Sequence, residues 1–133
     1  VTWRSSAEGR LAEIIVLDQF SRNLYRDQAA AFASDGMALC LAQEAIALGL
    51  DHQLAVTHRS FLYMPFMHSE SAKIHQTALQ LFTELANPQN LRYEELHKAI
   101  IDRFGRYPHR NEILGRTSTP EEIEFLQQPN SSF

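Results

Sequence analysis

Apolar side chains recur at three- and four-residue intervals along most of this chain, which is the spacing of a helix face buried against a core. No stretch shows the strict alternation of a half-buried strand or the paired turn residues of a β-hairpin. The sequence therefore predicts an all-α fold of antiparallel helix pairs joined by short loops. The first such stretch carries Leu11, Ile14, Ile15, Leu17, Phe20 and Leu24.

Capping residues predict where the first two helices begin and end. The first is expected from about Ser6 to Asn23, with Ser5 as the cap residue and Glu8 completing a capping box. The second, roughly Asp35 to Leu48, ends before Gly49, a residue suited to the left-handed position after a helix. Its buried face is predicted to carry Met37, Leu41, Ala45 and Leu48, and Cys40 is expected to be buried beside them.

Proline and glycine divide the rest of the chain. The aromatic stretch from His52 to His68 contains Pro65, which predicts two short buried helical pieces. Ser71 to Ala86 has the pattern of an amphipathic helix, and a further helix is expected to end at Gly105. Thr119, followed by proline and two acids, predicts the start of a short final helix.

Composition limits the class of protein. A chain of 133 residues with 44% apolar and 21% charged residues is typical of a single globular domain, here spanning residues 1–133. No apolar run approaches the roughly 20 residues that a membrane span needs, so no membrane segment is predicted. One cysteine and no signal peptide indicate the cytoplasm. A net charge of −4 argues against nonspecific nucleic-acid binding.

Arginine is used far more than lysine, and it is concentrated in one irregular segment. Ten of the twelve basic residues are arginine. Three of them lie between Phe104 and Arg116, together with a histidine, an asparagine, a proline and two glycines. The guanidinium group is a planar fork of donors suited to carboxylate or phosphate, and glycine and proline fix backbones that can aim it. This arginine-rich segment therefore predicts a specific polar site.

Other polar residues are spaced so that they could join that site. Asp18, Arg22 and Arg26 fall at four-residue intervals, which fits either surface ion pairs or a clamp around an anion. His97 precedes the arginine-rich segment by two helical turns, and His109 lies inside it. Convergence of these groups would give an anion site with a general acid or base, and the alternative is a buried network that only locks a loop. The candidate ligand-binding residues are Asp18, Arg22, Arg26, Arg59, His68, Glu70, His97, Arg106, His109, Arg110 and Asn111.

Known catalytic and cofactor motifs are missing from the sequence. There is no HExxH pattern and no cysteine cluster, so no metal site is predicted. There is also no GxSxG, P-loop or GxGxxG pattern, so no nucleotide cofactor or catalytic nucleophile is predicted. These observations identify no reaction, and they leave open whether the protein is an enzyme.

Three ordered motifs, DQFSRNLYR from Asp18, FLYMPFMHSE from Phe61 and the arginine-rich segment, resemble the bacterial family called domain of unknown function 924. The resemblance covers nearly the whole chain and implies a tetratricopeptide-like right-handed array of helix pairs. It also implies that an N-terminal segment usual in the family is missing here. The polar signature implied by the resemblance is Asp18, Gln19, Arg22, Asn23, Arg26, Asp35, Arg59, His68, Glu70, His97, Arg106, His109, Arg110, Asn111 and Arg116.

Two functions follow from these observations. The first is a helical protein whose arginine and histidine residues line a pocket for a small anionic ligand. The second is a tetratricopeptide-like interaction scaffold in which the same cluster is structural or clamps an acidic peptide. If the missing N-terminal segment normally covers an apolar face of the helices, that face would be exposed here. Another copy of the chain could then bury it in a homo-oligomer.

Overall fold

The computed structural model of the chain describes residues 2–133, and its regular structure consists of helices. No strand occurs among these residues, which confirms the all-α class. Short 3₁₀ turns lie at Thr2–Ser5, Ala29–Phe32, Asp51–Gln53 and Pro108–Arg110. The α-helices in chain order are α1 (Ala7–Ile15), α2 (Ser21–Leu24), α3 (Asp35–Ala47), α4 (Val56–Met67), α5 (Ala72–Leu85), α6 (Pro88–Phe104) and α7 (Pro120–Leu126).

The first two helices form one continuous rod, joined by a π-helical turn at Val16–Phe20. The rod begins at Ser6, whose backbone is extended and whose side-chain oxygen accepts the N–H of Gly9 at 3.1 Å. Ser5 was the expected cap, but its hydroxyl instead donates to the carbonyl of Thr2. The first helix therefore has nearly the predicted length, with the cap displaced by one residue.

Helix α3 has the predicted bounds but a different buried face. It ends before Gly49, whose φ of +68° is the left-handed conformation expected there. The prediction was wrong for Met37 and Leu48, which are 59% and 57% exposed, and for Cys40, which is also exposed. Small side chains let neighbouring helices approach closely, so the alanines take the contact face instead. The buried residues of α3 are Ala38, Leu41, Ala42 and Ala45.

The aromatic stretch forms a single α-helix, α4, rather than the two pieces expected from Pro65. Pro65 lies in the last turn, where a missing N–H removes only one backbone hydrogen bond and the helix has only two more residues to run. Most of its large side chains are buried, including Leu62, Phe66 and Met67. The helix is therefore held by its packing despite the proline.

Helix α5 begins and ends where the local sequence predicted, and α6 ends at the predicted residue. Ser71 accepts the N–H of Ile74, and the side chain of Asn87 accepts two N–H groups at the start of α6. Gly105 ends α6 with φ of +71°, and its N–H donates to the carbonyl of Ile101. Thr119 and Glu122 form the capping box of α7 in the same local manner.

Successive helices pack against one another around one main core. Helix α4 contacts α1, α3, α5 and α6, so it lies at the centre of the assembly. The main core includes Leu11, Leu62 and Phe82, and a smaller cluster forms around Ile101 and Tyr107. The smaller cluster supports the arginine-rich segment, because Tyr107 belongs to both. None of the helices described is both long and apolar enough to cross a bilayer.

Candidate functional site

A cavity of about 530 Å³ opens between the end of α2, the C-terminal end of α4, the middle of α6 and the arginine-rich segment. We call it the polar cavity. Six of the eleven predicted site residues line it, and they come from four separated parts of the chain. Its lining consists of Arg22, Asn23, Arg26, Asp27, Ala31, Phe32, His68, His97, Tyr107, His109, Arg110, Ile113, Ser132 and Phe133.

Arg22 is held in place by two carboxylates. Asp18, which is 1% exposed, lies in the π-helical turn and accepts from Nη1 of Arg22 at 2.9 Å. Asp35, at the start of α3, accepts from Nη1 and Nη2 at 2.8 and 2.9 Å. The predicted pairing of Asp18 with Arg22 is present, and Asp35 adds a bidentate contact between α2 and α3. These contacts fix the Arg22 side chain before any ligand is present.

His68 is oriented by the same buried carboxylate. Its Nδ1 lies 2.7 Å from Oδ1 of Asp18. The His68 and Arg22 contacts hold the pKa of Asp18 below its usual value even though burial opposes this. Because an ionised carboxylate only accepts hydrogen bonds, Nδ1 of His68 carries the hydrogen. Burial outweighs the Asp18 charge and lowers the pKa of His68, so its imidazole is neutral at pH 7 with a lone pair on Nε2.

Arg110 lies flat between two aromatic rings. Its guanidinium carbon is 4.5 Å from the ring centre of Phe32 and 4.6 Å from that of Tyr107. Nη2 donates to the carbonyl of His68 at 3.0 Å, and Nη1 is 3.7 Å from a carboxylate oxygen of Asp35. Nε is buried without a hydrogen-bond partner. Arg110 is therefore positioned by stacking and is poorly neutralised.

Two further histidines complete the wall nearest the end of the chain. Nδ1 of His97 donates to the carbonyl of Tyr93 at 2.7 Å, and the ring stacks on Phe133 with centroids 3.8 Å apart. Burial lowers the pKa of His97 to about 3. Burial also lowers the pKa of His109 to about 4, with Arg110 contributing, and Nδ1 of His109 is buried without a partner. Both imidazoles are therefore neutral at pH 7.

Arg26 reaches the polar cavity from an exposed position. The helical rod ends at Leu24, so Arg26 does not lie on the same helix face as Arg22, as a longer helix would have placed it. Its one hydrogen bond is a long contact of 3.4 Å to the side chain of Asn23. Asp27 is its neighbour in the lining and the only acidic residue there. Arg26 is therefore the most available cation of the polar cavity.

The other predicted site residues lie outside the polar cavity and make contacts within the protein. Arg59 donates to the carbonyls of Asp51 and Leu54 and so closes the turn before α4. Arg106 pairs with Glu122 through Nε and Nη2, both at 2.8 Å. These contacts are structural, and neither arginine is directed at the six cavity residues.

Glu70 and Asn111 organise the backbone of the arginine-rich segment. Glu70 accepts two hydrogen bonds from Arg116 at 2.7 and 2.9 Å and one from the N–H of Tyr107. These donors hold the pKa of Glu70 below its usual value, against the effect of burial. Asn111 joins Arg116 to Glu122 through its side-chain oxygen and nitrogen. Glu70 also lines a second cavity of about 370 Å³, which shares Phe32, His68 and Arg110 with the first.

Sequence reasoning missed several residues that shape the polar cavity. Phe32 lies in a weakly patterned stretch and contacts the cavity only because the chain folds back there. Tyr107 was inside the arginine-rich segment, but nothing in the spacing assigned Tyr107 or Phe133 to the cavity wall. A fully buried pair, His75 and Glu94, lies behind Tyr107 and was also missed, because single polar residues on helix faces carry no pattern.

Comparisons with known proteins identify the family and a similar fold. A family model of bacterial proteins of unknown function, domain of unknown function 924, matches residues 1–130. The chain belongs to this family. It is similar to the solved structure of a protein of unknown function from Agrobacterium tumefaciens, with 42% identity and a TM-score of 0.90 over 95% of this chain and 71% of the other. Among curated proteins, none matches.

In this member of the domain of unknown function 924 family, most of the signature residues fall into two groups. One group surrounds the polar cavity, with Asp18, Asn23 and Asp35 beside the six cavity residues. The other group, including Arg106 and Arg116, ties the arginine-rich segment to the helices. Residues 2–133 contain no cluster of three or more side chains suited to a metal ion.

Proposed function

We propose that the polar cavity binds a small anionic ligand, a carboxylate or a phosphate. The observation that carries this proposal is the convergence of Arg22, Arg26 and Arg110 with three histidines on one cavity. A volume of about 530 Å³ is within the range of small-molecule sites. Arginine is the side chain best suited to recognise carboxylate and phosphate groups by paired hydrogen bonds.

The charges around the polar cavity assign different roles to its arginines. Arg22 is already neutralised by Asp18 and Asp35, so it contributes mainly by fixing the geometry of the wall. Arg110 has only a 3.7 Å contact with Asp35, and Arg26 has no carboxylate partner within residues 2–133. An anion would therefore be held chiefly by Arg26 and Arg110. His68, His97 and His109 line the same cavity and would contact the remainder of the ligand.

Arg26→Gln tests this proposal with little risk to the fold, because Arg26 is exposed and makes one long hydrogen bond. The purified protein is screened by thermal shift against phosphorylated and carboxylated metabolites, and hits are measured by calorimetry. A charged hydrogen bond to the anion contributes about 1.5–3 kcal/mol, so the substitution should weaken binding by roughly tenfold to a hundredfold. Arg92→Gln, an exposed arginine outside the cavity, serves as the control and should bind normally.

Two results would contradict the proposal. A folded protein that no phosphate or carboxylate stabilises at millimolar concentration has no such site. Equal loss of binding in Arg26→Gln and Arg92→Gln would show a general charge effect rather than a site. Arg110→Lys provides a second variant, since it keeps the charge and removes the planar group that stacks between Phe32 and Tyr107.

A second candidate function, an interaction scaffold, is favoured by an apolar stripe on the first helical rod. Val16, Phe20 and Leu24 follow one another at four-residue spacing and are 42%, 53% and 73% exposed. Exposed apolar stripes of this kind bind partner helices or peptides. Leu24→Asp separates the functions, since it should abolish binding of a protein partner and leave binding of a small anion unchanged.

The remaining proposals concern architecture and compartment. We propose that α3 to α6 form a tetratricopeptide-like right-handed array within one domain, supported by the sequential packing of these helices. We also propose a cytoplasmic location, supported by the single cysteine, Cys40, which leaves no intramolecular disulfide to form.

A further inference from the structure

The hydrogen positions of two cavity histidines are fixed by the groups behind them. Nδ1 of His68 donates to the carboxylate of Asp18, and Nδ1 of His97 donates to the carbonyl of Tyr93. A neutral imidazole carries one hydrogen, so Nε2 of each ring is a hydrogen-bond acceptor. Neither partner can reverse its role, because a carbonyl and an ionised carboxylate only accept.

Both acceptor nitrogens are accessible, in residues that line the polar cavity. Neither Nε2 has a hydrogen-bond partner among residues 2–133. Neither atom is fully buried, because the fully buried side-chain atoms without a partner are others. An unpartnered Nε2 in these half-buried or buried rings must therefore be accessible, and both residues line the cavity. Phe133 covers a face of the His97 ring, and Tyr107 packs edge-to-face against the same ring.

A simple anion has no hydrogens to donate to these two nitrogens. Its oxygens are acceptors and would be repelled by the lone pairs of His68 and His97, although Arg26 and Arg110 attract them. A ligand that also carries hydroxyl or amino hydrogens can donate to both nitrogens while its anionic group binds the arginines. A site built for such donors discriminates strongly against an analogue that lacks them.

We propose that the ligand of the polar cavity is an anion bearing several hydroxyl or amino donors, such as a sugar phosphate or a sugar acid. This inference rests on the proposed anion site and specifies its chemistry. Arg26 and Arg110 bind the anionic group, and Nε2 of His68 and Nε2 of His97 accept hydrogen bonds from the donors.

Matched probes test the inference by calorimetry at pH 7.5. Glucose 6-phosphate is compared with cyclohexylmethyl phosphate, which has the same charge and a ring of similar size but no hydroxyl groups. Gluconate is compared with hexanoate in the same way. In whichever pair binds, the hydroxylated probe should bind at least about tenfold more tightly, since it gains two hydrogen bonds.

His97→Phe removes one acceptor while keeping an aromatic ring for the stack on Phe133. It should reduce the preference for the hydroxylated probe over cyclohexylmethyl phosphate by about threefold to tenfold. His58→Phe, at an exposed position on α4, is the control and should keep the full preference.

The outcomes separate this inference from the proposed function. If cyclohexylmethyl phosphate or hexanoate binds as tightly as its hydroxylated partner, the inference is wrong and the anion site stands. The inference is also wrong if ligand binding takes up a proton, because the histidine nitrogens would then be donors. Proton uptake would be seen as a binding enthalpy that depends on the buffer. If none of the four probes binds, the proposed function fails for both anion classes, and the inference fails with it.

Discussion

Glu94 and His75 form a fully buried pair in which the position of one proton can be deduced. Nε2 of His75 lies 2.7 Å from the carbonyl of Ser69, so it carries a hydrogen. Nδ1 lies 2.6 Å from Oε1 of Glu94, whose other oxygen is buried without a partner. Burial raises the pKa of Glu94 despite the nearby imidazole. A carboxylate with an unpartnered buried oxygen would be costly, so we infer that Glu94 is protonated and donates to Nδ1.

Glu94→Gln should therefore leave the free energy of unfolding at pH 7 within about 1 kcal/mol of the original. The amide has the shape of the protonated acid and can also donate to Nδ1 of His75. Glu94→Ala should cost about 3 kcal/mol or more, because it leaves a cavity and an unpaired buried nitrogen. Urea denaturation measures both. A loss in Glu94→Gln as large as that in Glu94→Ala would show instead that the pair is an imidazolium and a carboxylate.

At the scale of elements, the first helical rod depends on a glycine that allows a close backbone approach. A Cβ added at Gly9 would lie 2.0 Å from the backbone oxygen of Trp3, so the 3₁₀ turn at Thr2–Ser5 rests directly on the rod. Gly36, near the start of α3, has nothing within 4 Å of the same position. Both glycines are helical, and only the first is needed for packing.

Gly9→Ala should therefore destabilise the protein by about 1–3 kcal/mol or displace the turn. Gly36→Ala should be neutral or stabilise it by up to about 1 kcal/mol, since alanine favours the helix. Thermal unfolding compares the two variants, and fluorescence of Trp3, the single tryptophan, reports the position of the turn. Equal effects of the two substitutions would show that the turn does not pack on Gly9.

Helix ends were predictable from the sequence because capping involves residues only a few positions apart. Ser71, Gly105 and Thr119 all act where local reasoning placed them. The buried face of α3 was not predictable, since its neighbours α1 and α4 select the alanines. Persistence of α4 through Pro65 likewise depends on tertiary packing.

In the candidate site too, contacts between residues close in sequence were predictable and long-range contacts were not. The contact between Asp18 and Arg22 follows from four-residue spacing, and it is present. The carboxylate of Asp35 and the ring of Phe32 reach the cavity through long-range folding, for which the sequence holds no local signal. The spacing of polar residues also could not distinguish Arg110, which lines the cavity, from Arg106, which pairs with Glu122.

For the whole molecule, the buried neutral histidines make stability depend on pH. The unfolded chain takes up protons at His97 and His109 near pH 6.5, whereas burial holds their folded pKa values at about 3 and about 4. Between these limits the unfolded state binds more protons, so the free energy of unfolding falls as the pH falls. His68 acts in the same direction, and Glu94, whose pKa is raised, acts in the opposite one.

Urea denaturation between pH 7 and 5 should show this loss, with His97 and His109 each contributing at most about 1.4 kcal/mol per pH unit below pH 6. His97→Phe should make the dependence shallower by up to that amount, because one proton-binding site of the unfolded state is removed. His58→Phe, at an exposed position, should leave the slope unchanged. A slope in His97→Phe as steep as in the original protein would show that His97 is protonated in the folded state.

The polar cavity draws its walls from both halves of the chain, from Arg22 near the start to Phe133 at the end. A ligand bound there would link these distant segments through non-covalent contacts. Fraying at either extremity would then require its release, so amide hydrogens of α2 and of the arginine-rich segment would become protected from exchange together. A bound ligand would thus stabilise the two ends of the chain together and not only the residues that it contacts.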